Sequence, residues 1–156
     1  MNIFYGKIET PIGWMLITAD ETSLFSVDFV EEEPAQICTD TTLIIRTKQQ
    51  LNDYFSGFLT QFDLPCTLSG TDFQKQVWNG LIQIPYGRTW SYGDLARFIE
   101  RPKACRAVGG ANHNNQFSII IPCHRVIGAN GKMVGYGGGL WRKIWLLDFE
   151  NKHLVK

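Results

Sequence analysis

The sequence predicts an α+β chain in two parts: a small N-terminal antiparallel sheet with one covering helix, then a mainly helical C-terminal domain holding a winged-helix-like helix-turn-helix. Three observations carry this. Residues 2–30 break into strand-length runs separated by turn residues, residues 72–113 carry helical apolar spacing interrupted by Gly and Pro, and charge divides sharply between the halves.

The first element runs as NIFYGKIE, the second as WMLITA and the third as LFSVDFV, with turn chemistry at TPIG and DETS between them, so a strand meander is predicted. The acidic run Glu31–Glu33 followed by Pro34 ends it as a solvated loop. From Thr41 to Leu59 the residues Leu43, Ile44, Leu51, Tyr54, Phe55 and Phe58 fall mostly at helical spacing, which predicts a helix on one sheet face. Residues 60–71, with Pro65 and Gly70, read as a short strand and linker. The domain boundary is therefore set at 70/71.

The second half opens with DFQKQVWNGLIQI, helical in its spacing of Phe73, Val77, Trp78, Leu81 and Ile82 and stopped by Pro85-Tyr86-Gly87. Ser91 caps a short helix, SYGDLARFI, with Asp94 three residues on. Arg101-Pro102 breaks it and opens PKACRAVGGAN, with Pro102 in the first turn. Helix, tight turn and basic helix make the plan of a helix-turn-helix. Lys103 and Arg106 stand there beside Ala104, Cys105, Ala107, Gly109 and Gly110; such small residues suit a nucleic-acid groove and a packed neighbouring helix equally well. An apolar strand FSIIIPCHRVIG follows, then a turn at GANGK, the loop VGYGGG and a last helix LWRKIWLLDFE. Leu140, Trp141, Ile144, Trp145 and Leu147 give that helix its apolar side.

Formal net charge is zero, which alone argues against a nucleic-acid partner. The average conceals ten acids against three bases in residues 1–70 and twelve bases against five acids in residues 71–156, net −7 and then +7. That asymmetry points to a polyanion at the basic half, and fits two mutually attracting domains as well. No window offers the roughly 18 apolar residues of a membrane span, and the start lacks the basic and apolar regions of a secretion signal. A cytoplasmic protein is expected, nuclear in a eukaryote. In that reducing compartment Cys38, Cys66, Cys105 and Cys123 are expected as thiols, and without a CxxC pair or close Cys/His quartet no structural metal site is expected.

The stretch IPCHRV sets Cys123 between Pro122 and His124. A packed core thiol suits the preceding Ile119–Ile121. Against it, Pro122 would end regular strand pairing and His124 and Arg125 are costly to bury unpaired. A disulfide conflicts with the compartment and a metal site lacks partners. A nucleophile needs a nearby cation or base, which His124 and Arg125 supply in sequence. Adjacent strand residues face opposite ways, so a bend at Pro122 or a bridging water is required, with a carboxylate to orient the imidazole. Cys123 thus stands as a candidate nucleophile beside a basic helix-turn-helix, with the core-thiol reading still open.

PCHRVIG, preceded by PYGRTWSYGDLA and RPKACRAVGGAN and followed by GYGGG and RKIWLLDFE, closely resembles the O6-alkylguanine-DNA alkyltransferases, also called methylated-DNA-protein-cysteine methyltransferases. The resemblance covers residues 72–150 nearly continuously, and TPIGWMLITADETSLFSVDF resembles the family's N-terminal domain less specifically. It implies DNA repair by direct, stoichiometric transfer of the alkyl group of O6-alkylguanine onto Cys123, and leaves open whether O4-alkylthymine is also a substrate. His124 would act as base through a water, and Glu150 would hold that histidine. Tyr92 would assist protonation of the leaving guanine and contact the rotated phosphate. Arg106 would enter the stack where the damaged base was, since chemistry on a base in a duplex requires extrusion. Lys103, Ala104, Cys105, Gly109 and Gly110 would face the DNA. Asn115 would be the hinge between recognition helix and cysteine segment, while Ser118, Val126, Tyr136, Gly137 and Gly138 would line the base pocket.

The implied protein is a monomer acting on double-stranded DNA containing O6-alkylguanine, without cofactor, because guanine leaves as a stable neutral base once protonated. Two departures stand out: Gln116 where proline commonly follows the hinge asparagine, and Cys105 where alanine is common. The rivals are a non-enzymatic alkyl-damage recognition protein, which would lack the acceptor cysteine, and a helix-turn-helix regulator, for which Cys123 would be incidental.

Overall fold

The computed structural model describes residues 2–154 and divides into two compact units, residues 1–69 and 70–156. In the first, β1 (Phe4–Thr10), β2 (Gly13–Ala19) and β3 (Leu24–Val30) form an antiparallel meander in the order β1-β2-β3. The register pairs Ile8 with Met15 and Ile17 with Val27, so the period-2 apolar residues share one face.

Helix α1 (Thr42–Phe55) packs on that sheet, burying Leu43, Ile44, Thr47, Leu51 and Tyr54, and the Thr41 hydroxyl caps it by accepting from the Ile44 amide. Gly6 permits the approach, because a Cβ there would collide with Ile44 Cγ2. The helix stops at Phe55, short of the predicted Leu59, and leaves Phe58 86% exposed. No strand forms in 60–71; Cys66 makes a single parallel bridge to Leu24, since Pro65 cannot continue a ladder.

In the second unit α2 (Asp72–Leu81) and α3 (Tyr92–Phe98) both begin in complete capping boxes, Thr71 with Gln74 and Ser91 with Asp94. A two-residue β4 (Trp90–Ser91) pairs in parallel with β5 (Val126–Ile127). Helix α4 (Cys105–His113) follows α3 across a turn, and the Trp78 indole donates to the Ala111 carbonyl to tie α2 to α4. The predicted start of α4 at Pro102 is three residues early. Glu100 adopts φ 62°, the Ala104 amide bonds the Arg101 carbonyl, and Pro102-Lys103 form the turn.

Of the predicted strand over residues 117–127 only Val126–Ile127 is extended, as β5; residues 117–125 form compact turns instead. Phe117, Ile119 and Ile121 are buried in alternation as a strand would bury them. Their backbone groups are satisfied locally instead: Asn115 Nδ2 donates to the Phe117 and Ile121 carbonyls, Asn115 Oδ1 accepts from the Phe117 amide, and Ile119 takes φ 71°. Cys123–Arg125 then form one 3₁₀ turn. A further turn over Gly128–Lys132 closes through the Gly128 amide on the Lys132 carbonyl.

The last helix, α5 (Leu140–Lys152), reverses its predicted polarity. Arg142, Lys143, Leu146 and Glu150 are its buried side, while Leu140, Trp141 and Ile144 are exposed. The buried charges all have partners: Arg142 donates to the Gly138 carbonyl, and Lys143 Nζ donates to the carbonyls of Val126 (2.5 Å), Val134 (2.8 Å) and Gly135 (3.2 Å). Saturated with acceptors, a lysine can occupy a face that hydrophobicity would assign to leucine. No helix among the described residues is long and apolar enough to cross a membrane.

Candidate active site

The 3₁₀ turn answers the geometric objection that adjacent strand residues point apart. Its tighter winding sends Cys123, His124 and Arg125 inward together, at 6%, 0% and 6% exposure. The turn is held by the Cys123 amide on the Ile121 carbonyl (2.7 Å) and the Arg125 amide on the Pro122 carbonyl (3.0 Å).

Glu150, fully buried on α5, is the anchor. His124 Nε2 lies 2.7 Å from Glu150 Oε2, Arg125 Nε donates to Oε1 at 2.8 Å and a second guanidinium nitrogen donates to Oε2 at 3.1 Å. The Gly87 amide adds a bond to Oε1 at 3.3 Å, and Arg125 also donates to the Ile84 carbonyl. Burial alone would raise the Glu150 carboxyl, but His124 and Arg125 outweigh it and hold it well below the usual carboxylate range. An ionised carboxylate can only accept, so Nε2 carries the imidazole proton and Nδ1 is left as a lone-pair acceptor. That Nδ1 is buried and has no hydrogen-bond partner among the described residues.

Desolvation pulls the His124 imidazole below its ordinary value; Glu150 opposes this, and the Arg125 and Lys143 charges add to it. A neutral imidazole with its free lone pair turned away from the carboxylate is equipped to take a proton. Lys143 is itself pulled down to about 8, by burial.

A cavity of about 90 Å³ is lined by Tyr92, Gly109, Asn112, His113, Gly135, Tyr136 and Gly137. The Tyr136 phenol is pushed well above its ordinary value, mainly by burial with the Cys123 charge adding, and Ser118 lies beside its hydroxyl. Burial likewise raises Tyr92, although the Asn112 amide at its hydroxyl pulls the other way. Both tyrosines therefore keep their protons near neutrality and remain donors.

Of the residues singled out in the sequence, Tyr92, Gly109, Tyr136 and Gly137 line the cavity; Cys123 lies near enough to act on both tyrosines, and His124 is joined to Glu150, but these three are not part of the lining. Lys103, Cys105, Arg106 and Gly110 lie exposed on or beside α4, with Ala104 and Gly109 half-buried. Tyr92 packs against α4 where Gly109 has no side chain; a Cβ there would sit 3.8 Å from its ring. Asn115 organises the turn before the cysteine. Val126 is fully buried and offers its carbonyl to Lys143, and Gly138 offers its own to Arg142. Neither they nor Ser118 and Asn115 line the cavity.

Three participants escaped sequence reasoning: Asn112, Arg125 as the second partner of Glu150, and Lys143. The seven-residue spacing of Lys143 and Glu150, two helical turns on one face, was the available signal for the lysine. No group of three or more His, Cys, Asp or Glu that could hold a metal occurs among the described residues.

Two family descriptions match the chain: "6-O-methylguanine DNA methyltransferase, ribonuclease-like domain" over residues 3–68 and "6-O-methylguanine DNA methyltransferase, DNA binding domain" over residues 72–152. A methylated-DNA–protein-cysteine methyltransferase of Methanosarcina acetivorans is 46% identical over 153 residues, spanning 95% of this chain and 98% of its own. The crystal structure of the Mycobacterium tuberculosis O6-methylguanine methyltransferase superposes with TM-score 0.89 at 43% identity, covering 99% of this chain and 96% of that one. That of M. tuberculosis OGT in complex with DNA gives 0.87 at 46%, covering 96% and 93%.

Proposed function

Because the chain belongs to the 6-O-methylguanine DNA methyltransferase family, we propose that it repairs DNA by moving the alkyl group of O6-alkylguanine irreversibly onto Cys123. The observation that carries the assignment of roles is the buried pair Glu150–His124 with its unpartnered Nδ1, on the residue next to Cys123, which lies near both cavity tyrosines.

In this reading the Cys123 thiol passes its proton through a water to His124 Nδ1, and the sulfur attacks the alkyl carbon. The carbon–O6 bond breaks with its electrons going to the base, and Tyr92 assists protonation so that neutral guanine leaves. S-alkylcysteine is a thioether with no easy route back to thiol, so each molecule reacts once. Glu150 keeps the imidazole in the accepting tautomer and stabilises it once charged. Arg125 keeps Glu150 ionised and fixed.

The basic C-terminal half, net +7 over residues 71–156, supplies phosphate contacts that depend little on sequence and weaken with salt. The exposed small-residue face of α4, with Lys103 and Arg106, suits close docking in the minor groove. Arg106 fills the space of the extruded base. Arg106→Ala is expected to slow transfer from duplex DNA by about tenfold or more, since extrusion costs a few kcal/mol, while transfer from free O6-benzylguanine base stays nearly unchanged. Equal losses on both would remove the extrusion role.

The pH profile follows from His124. Its pKa lies below the ordinary imidazole value, so the base is already neutral as pH falls through about 6.5. The single-turnover transfer rate is expected to stay level there and to drop only at lower pH; a midpoint at or above the ordinary value would contradict a neutral base.

The deciding measurement is intact protein mass after incubation with duplex DNA carrying O6-methylguanine, followed by peptide mapping. One added methyl on the peptide holding Cys123 is expected. DNA bound with no gain in mass would favour the damage-recognition reading.

A further inference from the structure

We infer that Tyr86, in the turn that stops α2, is a positioning residue for alkyl transfer: its ring holds the Arg125 guanidinium on Glu150, and Glu150 in turn holds His124. The inference rests on the alkyl-transfer reading above. Arg125 Cζ lies over the Tyr86 ring, 5.5 Å from its centroid, within the range at which an aromatic face attracts a cation. Arg125 is buried, so water screens that attraction little. The same short turn reaches the Arg125–Glu150 pair twice more. The Ile84 carbonyl accepts from Arg125 Nη1 at 2.9 Å, and the Gly87 amide donates to Glu150 Oε1 at 3.3 Å. Gly87 stands at φ 76°, a conformation that favours glycine.

A guanidinium is planar and donates within its own plane. Arg125 uses all three of its nitrogens that way: Nε on Glu150 Oε1, Nη2 on Oε2 and Nη1 on the Ile84 carbonyl. In-plane bonds resist tilting out of the plane only weakly, so a partner on the face decides whether the two-point grip on Glu150 lasts. Tyr86 is that partner. With the grip broken, the carboxylate is free to turn and takes with it the acceptor of His124 Nε2. The charges that act on His124 are Glu150 and Lys143 from α5 and Arg125 from its own turn. Burial pushes the Tyr86 phenol above its ordinary value, so it keeps its proton near neutrality and adds no charge. Glu150 raises the imidazole and Arg125 lowers it, so an Arg125 that moves off leaves the carboxylate dominant and the imidazole harder to deprotonate.

The test is single-turnover methyl transfer from duplex DNA containing O6-methylguanine, read by intact mass across pH, in Tyr86→Leu, in Tyr86→Phe and in Tyr86→Phe with a pentafluorinated ring. Tyr86→Leu fills the space without an aromatic face. It is expected to react about tenfold more slowly, the scale of a desolvated cation–π contact, and to lose rate at a higher pH than wild type as the solution is acidified. Tyr86→Phe keeps the ring and is expected to restore most of the rate and the wild-type acid limb. Fluorination keeps the shape but removes the negative charge of the face, and is expected to bring back the Tyr86→Leu behaviour. A merely structural ring would leave the acid limb of Tyr86→Leu in place and make the two Phe forms equal; either result overturns the proposal. If Tyr86→Leu does not fold, the two Phe forms decide alone. No transfer by wild-type protein would instead remove the alkyl-transfer reading, and the role of Tyr86 with it.

Discussion

Cys123→Ser is expected to end alkyl transfer while leaving DNA affinity within about twofold of wild type. The substitution is nearly isosteric at a site 6% exposed, and the 3₁₀ turn that holds it is made of backbone bonds from Cys123 and Arg125 that serine would keep. The loss is chemical. A thiol gives up its proton to a neutral imidazole at modest cost and leaves a highly polarisable sulfur, whereas a hydroxyl does neither. Removing a nucleophile from an intact site costs on the order of 10⁴-fold or more, so mass spectrometry should find no methylated protein. In the proposed reading, affinity for duplex DNA rests on Lys103, Arg106 and the basic surface around them rather than on the sulfur. Electrophoretic or anisotropy titration against O6-methylguanine DNA reads this second half. Loss of binding together with transfer would make Cys123 a structural thiol, as its neighbours Ile119–Ile121 first suggested.

Local signals made much of the frame legible. Period-2 runs in residues 4–30 and the capping pair Ser91–Asp94 are interactions between near neighbours, and the elements formed where they pointed. Misreadings fell where distant partners override local preference. Phe117–Ile121 alternates like a strand, yet the Asn115 side chain takes over its hydrogen bonds and bends it; a strand there would have pointed Cys123 and His124 apart. Apolar residues of α5 marked the wrong side, because Arg142, Lys143 and Glu150 are buried by partners that sequence distance conceals. The proposed catalytic residues rest on a motif, which fixes residue types and order. The motif is silent on the sharing of Glu150 between His124 and Arg125 and on the Tyr86 ring beneath the guanidinium, both products of folding.

That sharing makes Glu150→Gln the sharpest probe of the proposed base. In wild-type protein Oε1 receives Arg125 Nε and the Gly87 amide, while Oε2 receives His124 Nε2 and a second Arg125 nitrogen. A glutamine must place one oxygen and one NH₂ group in those two positions. Its NH₂ cannot face Arg125 Nε and Gly87, which are both donors, so the oxygen goes there and the NH₂ confronts His124 Nε2. The imidazole answers by moving its own proton to Nδ1, the atom proposed to receive the thiol proton. Transfer is therefore expected to fall by on the order of 10²–10⁴-fold, the scale of a misdirected tautomer in a nucleophile–histidine–carboxylate site. Fold and DNA binding should largely survive, because Arg125 keeps its bond to Ile84 and one oxygen partner. Glu150→Ala removes both acceptor oxygens from the four donors on His124, Arg125 and Gly87 and should cost about 3–5 kcal/mol of stability. Acid titration separates the electrostatic part. Because the folded Glu150 carboxyl ionises well below its ordinary 4.5, its stabilisation is complete above that value and is lost as pH falls below it. Denaturation midpoints of Glu150→Gln should lack that limb, whereas an acid limb equal to wild type would mean that the Glu150 charge contributes nothing to holding Arg125 and His124.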